Sequence, residues 1–415
     1  MTSLRLVRGT YDLIGKECEK HTHVIQLART LSELYGFQEI ITPIMEFASV
    51  YLHAVGETSD IVTKEMFSLV DRKTGEASDI VLRPEGTAGT MRAILMNTAG
   101  QAMPQKYFYA GPMFRYERPQ KGRNRQFYQV GIETVGAAEA LSDVETVALG
   151  HALLQKIGLQ NITLQLNTLG DIESRKSYHT ALVSYLQKYA SDLSDDSKIR
   201  LENNPLRVLD SKDKNDQKIV ADAPLFDMYL NAESRTFFED VQRGLEDLKI
   251  PYVHNPRLVR GLDYYCHTAF EFVSDDLGAQ GTVLAGGRYD ELTKIMGGPK
   301  MPGVGWAVGV DRLCLLLKNL PKKKRPISII PISDQEVAFC FKLAQQLRSK
   351  EHAVDFAYKG NVKSRMKKAN AANAYYAILV GEDEIKNNAL TVRELDTGEQ
   401  QDIPLSAIED FFKDQ

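Results

Sequence analysis

The sequence predicts an α+β protein built on an antiparallel sheet and followed by a separate α/β domain. Three observations favour this fold. Strand patterns at Tyr107–Tyr116 and Gln126–Val135 flank a charged loop, as in a hairpin. A polar, charged stretch at about 172–223 interrupts the sheet pattern and predicts a helical insertion. After the linker-like segment KNLPKKKRP (318–326), strand and helix patterns alternate to the C-terminus.

Local patterns give the elements of the first part. Apolar residues at spacings of three and four predict a helix over Cys18–Tyr35. Phe37–Phe47 has a strand pattern, but it contains Pro43, which cannot donate to a ladder and therefore indicates an edge or an interface. A strand follows at Ile80–Arg83, and a helix begins after Pro84.

The remaining patterns complete the predicted organisation. Strands are expected at Thr268–Val273 and Gly281–Leu284, and Gly303–Leu317 begins glycine-rich and becomes helical. The predicted domains are a sheet core in two parts with the helical insertion between them and a C-terminal domain, with bounds 1–171, 172–223, 224–320 and 326–415.

Composition excludes several classes of protein. The chain has 415 residues and a formal net charge of −4, so no global basic excess indicates nucleic-acid binding. Its four cysteines are far apart and form no C-x-x-C pair, which disfavours a structural zinc site or a disulfide framework. No apolar run is long enough to span a bilayer, and the N-terminal residues resemble no targeting signal, so we expect a cytoplasmic protein without membrane contact.

The usual glycine-rich phosphate loops are missing from the sequence. It contains neither G-x-x-x-x-G-K-[ST] nor a G-x-G-x-x-G that follows a strand. A bound nucleotide would therefore have its phosphates held by side chains on a sheet.

The densest charge cluster is FRYERPQKGRNRQFYQ at 114–129. Arg115 and Glu117 are two residues apart on a strand and share a face, so both can point into one pocket. A guanidinium there suits a phosphate, and a carboxylate suits an amine or an amide. Composition alone is equally compatible with a solvated hairpin tip.

Four further segments combine polar groups with glycines. LVRGLDYYCHTAFE (258–271) carries Arg260 and adjacent tyrosines, AGGRYD (285–290) has paired glycines, GVGWAVGVDRL (303–313) places Arg312 at a helix start, and LRPEGTAG (82–89) places Glu85 at a strand-to-helix turn. Each has an ordinary structural reading: a tyrosine-rich core strand, tight packing, an ion-pair partner or a first-turn helix acid.

Together these segments resemble a family, the histidyl-tRNA synthetases of class II. GFQEIITPIMEF resembles motif 1, the segment 114–129 extended to VGIE resembles motif 2, and GVGWAVGVDRL resembles motif 3. LVRGLDYY and AGGRYD are similar to the family's two histidine-specific signatures, and the resemblance extends from about Leu6 to the C-terminus. It implies a class II synthetase-like catalytic core, a C-terminal anticodon-binding domain and a homodimer formed through motif 1.

The resemblance also implies an activity and roles for residues. The protein would activate L-histidine with ATP, accompanied by Mg²⁺ but without a metal site made by protein alone, and transfer it to tRNA(His). Arg115 and Arg260 would hold the α-phosphate, with Arg115 also holding the attacking carboxylate, and Arg312 the γ-phosphate; these three would be the catalytic residues. The ATP-binding set would be Arg115, Glu117, Arg123 and Arg312.

The resemblance also implies which residues would bind histidine and tRNA. Glu133 would accept from one ring nitrogen, Tyr264 or Tyr265 would meet the other, and Glu85, Thr87 and Gln129 would hold the ammonium group. The full histidine-binding set is Glu85, Gly86, Thr87, Arg115, Gln129, Glu133, Arg260, Tyr264, Tyr265 and Tyr289. Predicted tRNA contacts are Arg118, Gln120, Lys121, Arg123, Lys363 and Arg365.

Three alternatives are weighed against this reading. A catalytically inactive paralogue serves as a regulatory subunit of ATP phosphoribosyltransferase, but it lacks the anticodon domain and the ATP-facing residues that this chain keeps. An uncharged-tRNA sensor would not need the arginines. A generic RNA-binding module fits poorly with the acidic net charge and the pocket-like polar clusters.

Overall fold

The computed structural model describes residues 4–56, 59, 61–98, 100–120, 122–260 and 264–413. The chain forms two compact units, Met1–Leu320 and Pro321–Gln415. Among the described residues, no helix has both the length and the apolar character needed to cross a membrane.

A large sheet is the centre of the first unit. The strands of this unit are β1 (Gln38–Glu39), β2 (Met45–Phe47), β3 (Phe67–Val70), β4 (Ala77–Leu82), β5 (Gln105–Phe114), β6 (Gln126–Val135), β7 (Ile162–Thr168), β8 (Val253–His254), β9 (Cys266–Ser274), β10 (Thr282–Arg288) and β11 (Gly303–Gly309). Eight of them form a sheet in the order β1-β5-β6-β11-β10-β9-β7-β8. Its six central strands are antiparallel to one another, and only the edge pairs β1–β5 and β7–β8 are parallel. The predicted α+β antiparallel core is confirmed.

The first unit also contains α-helices. They are α1 (Lys16–Leu34), α2 (Ala48–Val55), α3 (Thr87–Asn97), α4 (Ala140–Ile157), α5 (Ile172–Leu186), α6 (Asp195–Asn203), α7 (Lys214–Ala221), α8 (Ala232–Asp247), α9 (Leu292–Ile295) and α10 (Val310–Leu316). The main core joins side chains of α1, α4 and α8 to one face of the sheet, including Phe108, Val130 and Ile132. Because strand side chains alternate, the odd-numbered residues of β5 and β6 point to the other face.

The chain from Phe37 to Phe47 is not one strand, in contrast to the prediction. β1 pairs in parallel with β5, whereas β2 pairs with β4 in a three-stranded sheet of order β2-β4-β3. Pro43 lies in the connection, where its missing N–H favours an interruption of the ladder. The buried Arg83 side chain closes this corner by donating to the carbonyl oxygens of Thr42 and Pro112.

The segment after β7 is helical, as predicted. Helices α5, α6 and α7 begin at the capping residues Asp171, Ser194 and Asp213, each of which accepts a backbone N–H. They enclose a separate apolar cluster around Tyr178 and Phe226.

The second unit has its own mixed sheet. Its strands are β12 (Ile327–Pro331), β13 (Val354–Phe356), β14 (Tyr376–Val380), β15 (Ala389–Glu394) and β16 (Gln400–Pro404), in the order β13-β12-β14-β15-β16. The first three are parallel and the last two antiparallel. The helices are α11 (Val337–Ser349), α12 (Val362–Ala371), α13 (Glu382–Lys386) and α14 (Ile408–Phe412). This is the α/β domain that the alternating pattern predicts.

Candidate active site

Glycines make room for polar side chains that form a floor on the face of the large sheet opposite the main core. A Cβ atom on Gly131 would lie 2.3 Å from the Tyr109 hydroxyl oxygen, and one on Gly305 would lie 2.1 Å from a carboxylate oxygen of Glu133. Gly305 and Glu133 are register partners on β11 and β6. Only glycine therefore permits the side chains of Tyr109 and Glu133 to lie flat over the neighbouring strands.

Glu133 is the centre of this floor, with 1% of its surface exposed. Its carboxylate accepts a hydrogen bond from the Thr87 hydroxyl at 2.7 Å and another from the Tyr289 hydroxyl. Burial raises the pKa of Glu133 to about 8, although those two hydrogen bonds act in the opposite direction. A carboxyl with this pKa can hold or release a proton near neutral pH.

Three tyrosines form the wall beside Glu133. The ring centroids of Tyr264 and Tyr265 are 4.6 Å apart, and the Tyr289 ring packs edge-on against Tyr264 at 5.6 Å. All three are buried, and burial raises the pKa of each hydroxyl above its ordinary value. They therefore remain neutral hydroxyls, which can donate or accept.

The start of α3 and the neighbouring strand β6 bring together four further residues of the predicted histidine-binding set. Glu85 is buried and accepts the backbone N–H groups of Thr87 and Ala88 at 2.6 and 2.8 Å, so it caps the helix. The Gln129 side-chain oxygen accepts from the Gly86 backbone N–H at 2.9 Å. Burial raises the pKa of Glu85, and the nearby Arg115 charge lowers it. The structure thus brings Glu85, Gly86, Thr87 and Gln129 together beside Glu133.

Cationic side chains gather next to this pocket. Arg115 follows β5, donates from Nε to the Pro84 carbonyl oxygen at 2.9 Å and lies 3.8 Å from Glu117. Arg123 reaches the same Glu117 carboxylate at 3.3 Å from the loop. The β5–β6 loop lies against Arg312, because a Cβ atom on Gly122 would be 3.5 Å from the Arg312 Cγ atom. Burial, together with the charges of Arg123 and Arg115, lowers the pKa of Arg312.

Arg260 is the remaining arginine of the predicted set. Its Nη1 forms an ion pair with Glu271 on β9, and its guanidinium lies over the Tyr265 ring at 5.5 Å. Arg312 donates from Nη1 to the Thr282 carbonyl oxygen at 2.6 Å. The predicted Arg115, Glu117, Arg123, Arg260 and Arg312 therefore lie in the same unit around one polar region.

The predicted tRNA contacts divide into exposed and buried positions. Arg118, Gln120 and Arg123 are exposed in the β5–β6 loop, and Lys363 is exposed on α12. Lys121 lies outside the described residues. Arg365 is 1% exposed, and its guanidinium donates to the Pro331 carbonyl oxygen at 2.6 Å. The Arg365 side chain therefore points from α12 into the interior of the second unit, and this placement disfavours a direct contact with RNA.

Sequence reasoning missed three residues that the structure places at this site: Tyr109, Glu271 and Thr282. Tyr109 lies in the middle of β5, and its odd number gives it the same face as Arg115, which directly follows that strand. That alternation is a usable signal. Glu271 and Thr282 give no such signal, because their roles depend on the pairing of β9 and β10.

Comparison with known proteins identifies the family. The family model described as histidyl-tRNA synthetase matches residues 9–313, and the model described as anticodon binding domain matches 327–415. The histidine–tRNA ligase of Rhodospirillum rubrum is 52% identical over 414 residues, which cover 99% of each chain. The chain belongs to the histidyl-tRNA synthetase family.

Two further relatives agree with this membership. The histidine–tRNA ligase of Gluconacetobacter diazotrophicus is 49% identical over 413 residues, with 99% of each chain covered. The crystal structure of apo histidyl-tRNA synthetase from S. aureus superimposes with a TM-score of 0.84 at 32% identity and covers 99% of this chain and 100% of that one. The fold class predicted from the sequence, with its synthetase-like core and anticodon-binding domain, is therefore confirmed for this histidyl-tRNA synthetase family member.

Proposed function

We propose that the chain is a histidine–tRNA ligase, which joins L-histidine to tRNA(His) at the expense of ATP. The observation that carries the proposal is the buried Glu133, hydrogen-bonded by Thr87 and Tyr289 and adjacent to the arginine cluster. An amino-acid pocket and a phosphate site lie side by side, as the activation of a carboxylate by ATP requires.

Histidine recognition would depend on reading both ring nitrogens. A neutral imidazole has one donor and one acceptor. The Glu133 carboxylate accepts from the ring N–H, and a hydroxyl of Tyr264 or Tyr265 donates to the other nitrogen. Glu85, Thr87 and Gln129 take the α-ammonium group, while Gly86 and Tyr289 shape the pocket. Because these groups are buried, an amino acid that cannot pair with them leaves polar groups unsatisfied and is rejected.

In the first step, a histidine carboxylate oxygen attacks the α-phosphorus of ATP. The bond from that phosphorus to the bridging oxygen breaks, and pyrophosphate leaves. All participants are anionic, so the site contributes positive charge and alignment more than proton transfer. Arg115 and Arg260 hold the α-phosphate from two sides, Arg312 holds the γ-phosphate, and Arg123 supports the triphosphate. Glu117 meets the adenine side.

We propose that ATP enters as its Mg²⁺ complex. Among the described residues, no group of three or more His, Cys, Asp or Glu side chains could hold a metal ion. The ion would take most of its ligands from phosphate oxygens and water, as Mg²⁺ usually does, and would neutralise charge on the leaving pyrophosphate.

In the second step, a hydroxyl of the tRNA 3′ nucleotide attacks the histidyl carbonyl carbon, and AMP leaves. We expect the β5–β6 loop to approach the acceptor end through Arg118, Gln120, Lys121 and Arg123, of which Arg118, Gln120 and Arg123 are exposed. The second unit would bind the anticodon through Lys363 and its exposed neighbours on α12. Arg365 would act by fixing α12 to β12. We propose that the catalytic core comprises residues 1–171 and 224–320, that the helical insertion comprises 172–223, and that the anticodon-binding domain comprises 326–415.

We also propose a homodimer in the cytoplasm, where tRNA charging supplies translation. The motif-1 segment exposes large apolar side chains at Ile41, Ile44, Met45 and Phe47. Four exposed large apolar side chains within one short segment favour a protein–protein interface. Light scattering of the purified protein tests the dimer, and cell fractionation tests the compartment.

The function is tested by ATP–pyrophosphate exchange with each of the twenty amino acids, with Mg²⁺ present. We expect exchange with histidine alone, followed by charging of tRNA(His). Exchange with a different amino acid would contradict the pocket assignment. No exchange from folded protein would instead favour the regulatory-subunit or the uncharged-tRNA-sensor alternative.

A further inference from the structure

Glu271 is a charged residue in the floor of the site without a part in the mechanism above. Its neighbours on β9, Phe270 and Phe272, are buried in the main core. Alternation along the strand therefore points Glu271 to the opposite face, together with Ala269, which packs against the tyrosine cluster. The carboxylate thus lies on the active-site face, on a central strand of the sheet.

Both carboxylate oxygens of Glu271 have specific partners. Oε1 forms the ion pair with Arg260 Nη1, and the two side chains are each 16% exposed. Oε2 accepts a hydrogen bond from the Thr282 hydroxyl on β10 at 2.8 Å. The carbonyl oxygen of Thr282 in turn accepts from Arg312. One carboxylate therefore connects the two arginines proposed to bind opposite ends of the triphosphate.

The arginine itself lacks support from regular structure. Arg260 lies in an irregular segment after β8, whereas Glu271 is fixed in a strand paired on both sides. The Nε atom of Arg260 is buried and, within the described part of the chain, has no hydrogen-bond partner. The ion pair therefore fixes one edge of the guanidinium and leaves a donor on it for an anion.

We propose that Glu271 is a positioning residue for adenylate formation, holding the Arg260 guanidinium on the α-phosphate and, through Thr282, aligning Arg312. The inference rests on the proposed function and deepens it. A guanidinium displaced by about 1 Å loses its alignment with the reacting phosphate, which lowers the rate of the chemical step more than the binding of substrates.

The test is histidine-dependent ATP–pyrophosphate exchange by the full chain carrying Glu271→Gln, which keeps the side-chain shape and removes the charge. We expect kcat to fall about 10²-fold, with the KM for histidine within about threefold of wild type. Thr282→Val, which removes only the linking hydroxyl, should lower kcat about tenfold, and Thr282→Ser should restore it. Glu239→Gln, at an exposed carboxylate on α8, serves as the matched control.

A double-mutant cycle separates positioning from a merely structural role. In an Arg260→Lys background, Glu271→Gln should cost less than about threefold, because the group that it positions has already changed. Losses that multiply in the cycle would overturn the proposal, as would an unchanged kcat of Glu271→Gln. A loss that is recovered by raising Mg²⁺ would also overturn it, because it would assign the carboxylate to the metal.

If Glu271→Gln does not fold, the comparison of Thr282→Val with Thr282→Ser decides. An inactive wild type would instead refute the proposed function.

Discussion

The two halves of the candidate site are built differently. The proposed histidine side consists of buried residues on strands and at a helix start, and they already hydrogen-bond one another: Glu133 with Thr87 and Tyr289, Gln129 with Gly86. On the phosphate side, Arg115 and Arg123 keep 23% and 46% of their side-chain surfaces exposed. Discrimination between amino acids requires a preorganised interior, whereas a highly charged triphosphate is bound by cations that remain accessible.

The difference also concerns charge. The histidine side contains two buried carboxyls, and burial raises the pKa of both. On the proposed phosphate side, three arginines form ion pairs with two carboxylates: Arg115 and Arg123 with Glu117, and Arg260 with Glu271. That region carries an excess of positive charge until an anion arrives. We therefore expect changes on the histidine side to alter specificity, and changes on the phosphate side to alter rate.

The largest effect is expected from Glu133→Ala. Loss of the buried acceptor leaves Thr87, Tyr289 and the substrate ring unsatisfied, so histidine-dependent exchange should fall on the order of 10³-fold or more. The measurement is ATP–pyrophosphate exchange together with circular dichroism. The exposed Glu239→Ala is the control, and near-normal activation by a folded Glu133→Ala protein would refute the role of Glu133.

Next comes a contrast within the arginine cluster. Arg115→Ala should lower kcat about 10²- to 10³-fold, because a donor to the transition state is lost from the edge of the sheet. Arg123→Ala, in the exposed loop, should cost about tenfold. Steady-state exchange kinetics check both values. Equal losses of kcat for the two variants would contradict the expectation that the less exposed Arg115 contributes more than the exposed Arg123.

Gly305→Ala tests the glycine floor of the histidine pocket. The new methyl would lie 2.1 Å from a carboxylate oxygen of Glu133 and 2.3 Å from the Ile132 carbonyl oxygen, so both the carboxylate and the strand beside it must shift. We expect the KM for histidine to rise about 10- to 100-fold while the KM for ATP stays within about threefold. Gly309→Ala, where a Cβ would meet no atom within 4 Å, is the matched control on the same strand. An unchanged KM for histidine would show that the pocket tolerates the displacement.

The pH dependence of stability tests the buried Glu133 carboxyl of the proposed histidine side. The folded state holds the Glu133 proton up to about pH 8, whereas the unfolded chain releases it near its ordinary pKa. The unfolded state therefore binds fewer protons in this window, and this carboxyl makes the protein less stable as pH rises from about 5 to about 8. Chemical denaturation should show that wild type loses stability relative to Glu133→Gln over this range, on the order of a few kcal/mol. A constant difference would contradict the raised pKa.

The smallest effects on activation are expected in the second unit. Lys363→Ala should leave exchange unchanged and raise the KM for tRNA a few-fold, more so at low salt. Arg365→Ala should instead lower the unfolding free energy of that unit by about 2 to 4 kcal/mol, because a buried hydrogen-bonded guanidinium is lost. Denaturation and charging assays separate the two. A stable Arg365→Ala protein with weak tRNA binding would restore the direct contact that the sequence predicts.

Much of the fold follows from local patterns. The β6 strand has the predicted bounds, Gln126–Val135, because it is rich in β-branched and aromatic residues and its ends are marked by the charged loop and a glycine. The Phe37–Phe47 prediction failed because strand propensity does not report that the chain changes sheets at Pro43. Short edge strands such as β8 depend on tertiary pairing and leave little trace in sequence.

Only part of the candidate site could be predicted from the sequence. Residues within motifs, such as Arg115 and Glu133, could be named from the family resemblance and the strand alternation. The connection from Glu271 through Thr282 to Arg312 could not, because it requires the pairing of β9 with β10. The burial of Arg365 could not be predicted either, since a run of basic residues does not show which helical position turns inward.

Separate binding of the two substrates tests the central claim most directly. Isothermal titration of histidine and of Mg²⁺–ATP is carried out with wild type, Glu133→Ala and Arg312→Ala. We predict that Glu133→Ala loses histidine binding and keeps ATP binding, and that Arg312→Ala shows the reverse. Loss of both ligands in either folded variant would contradict a site divided into a preorganised histidine pocket and an accessible phosphate cluster.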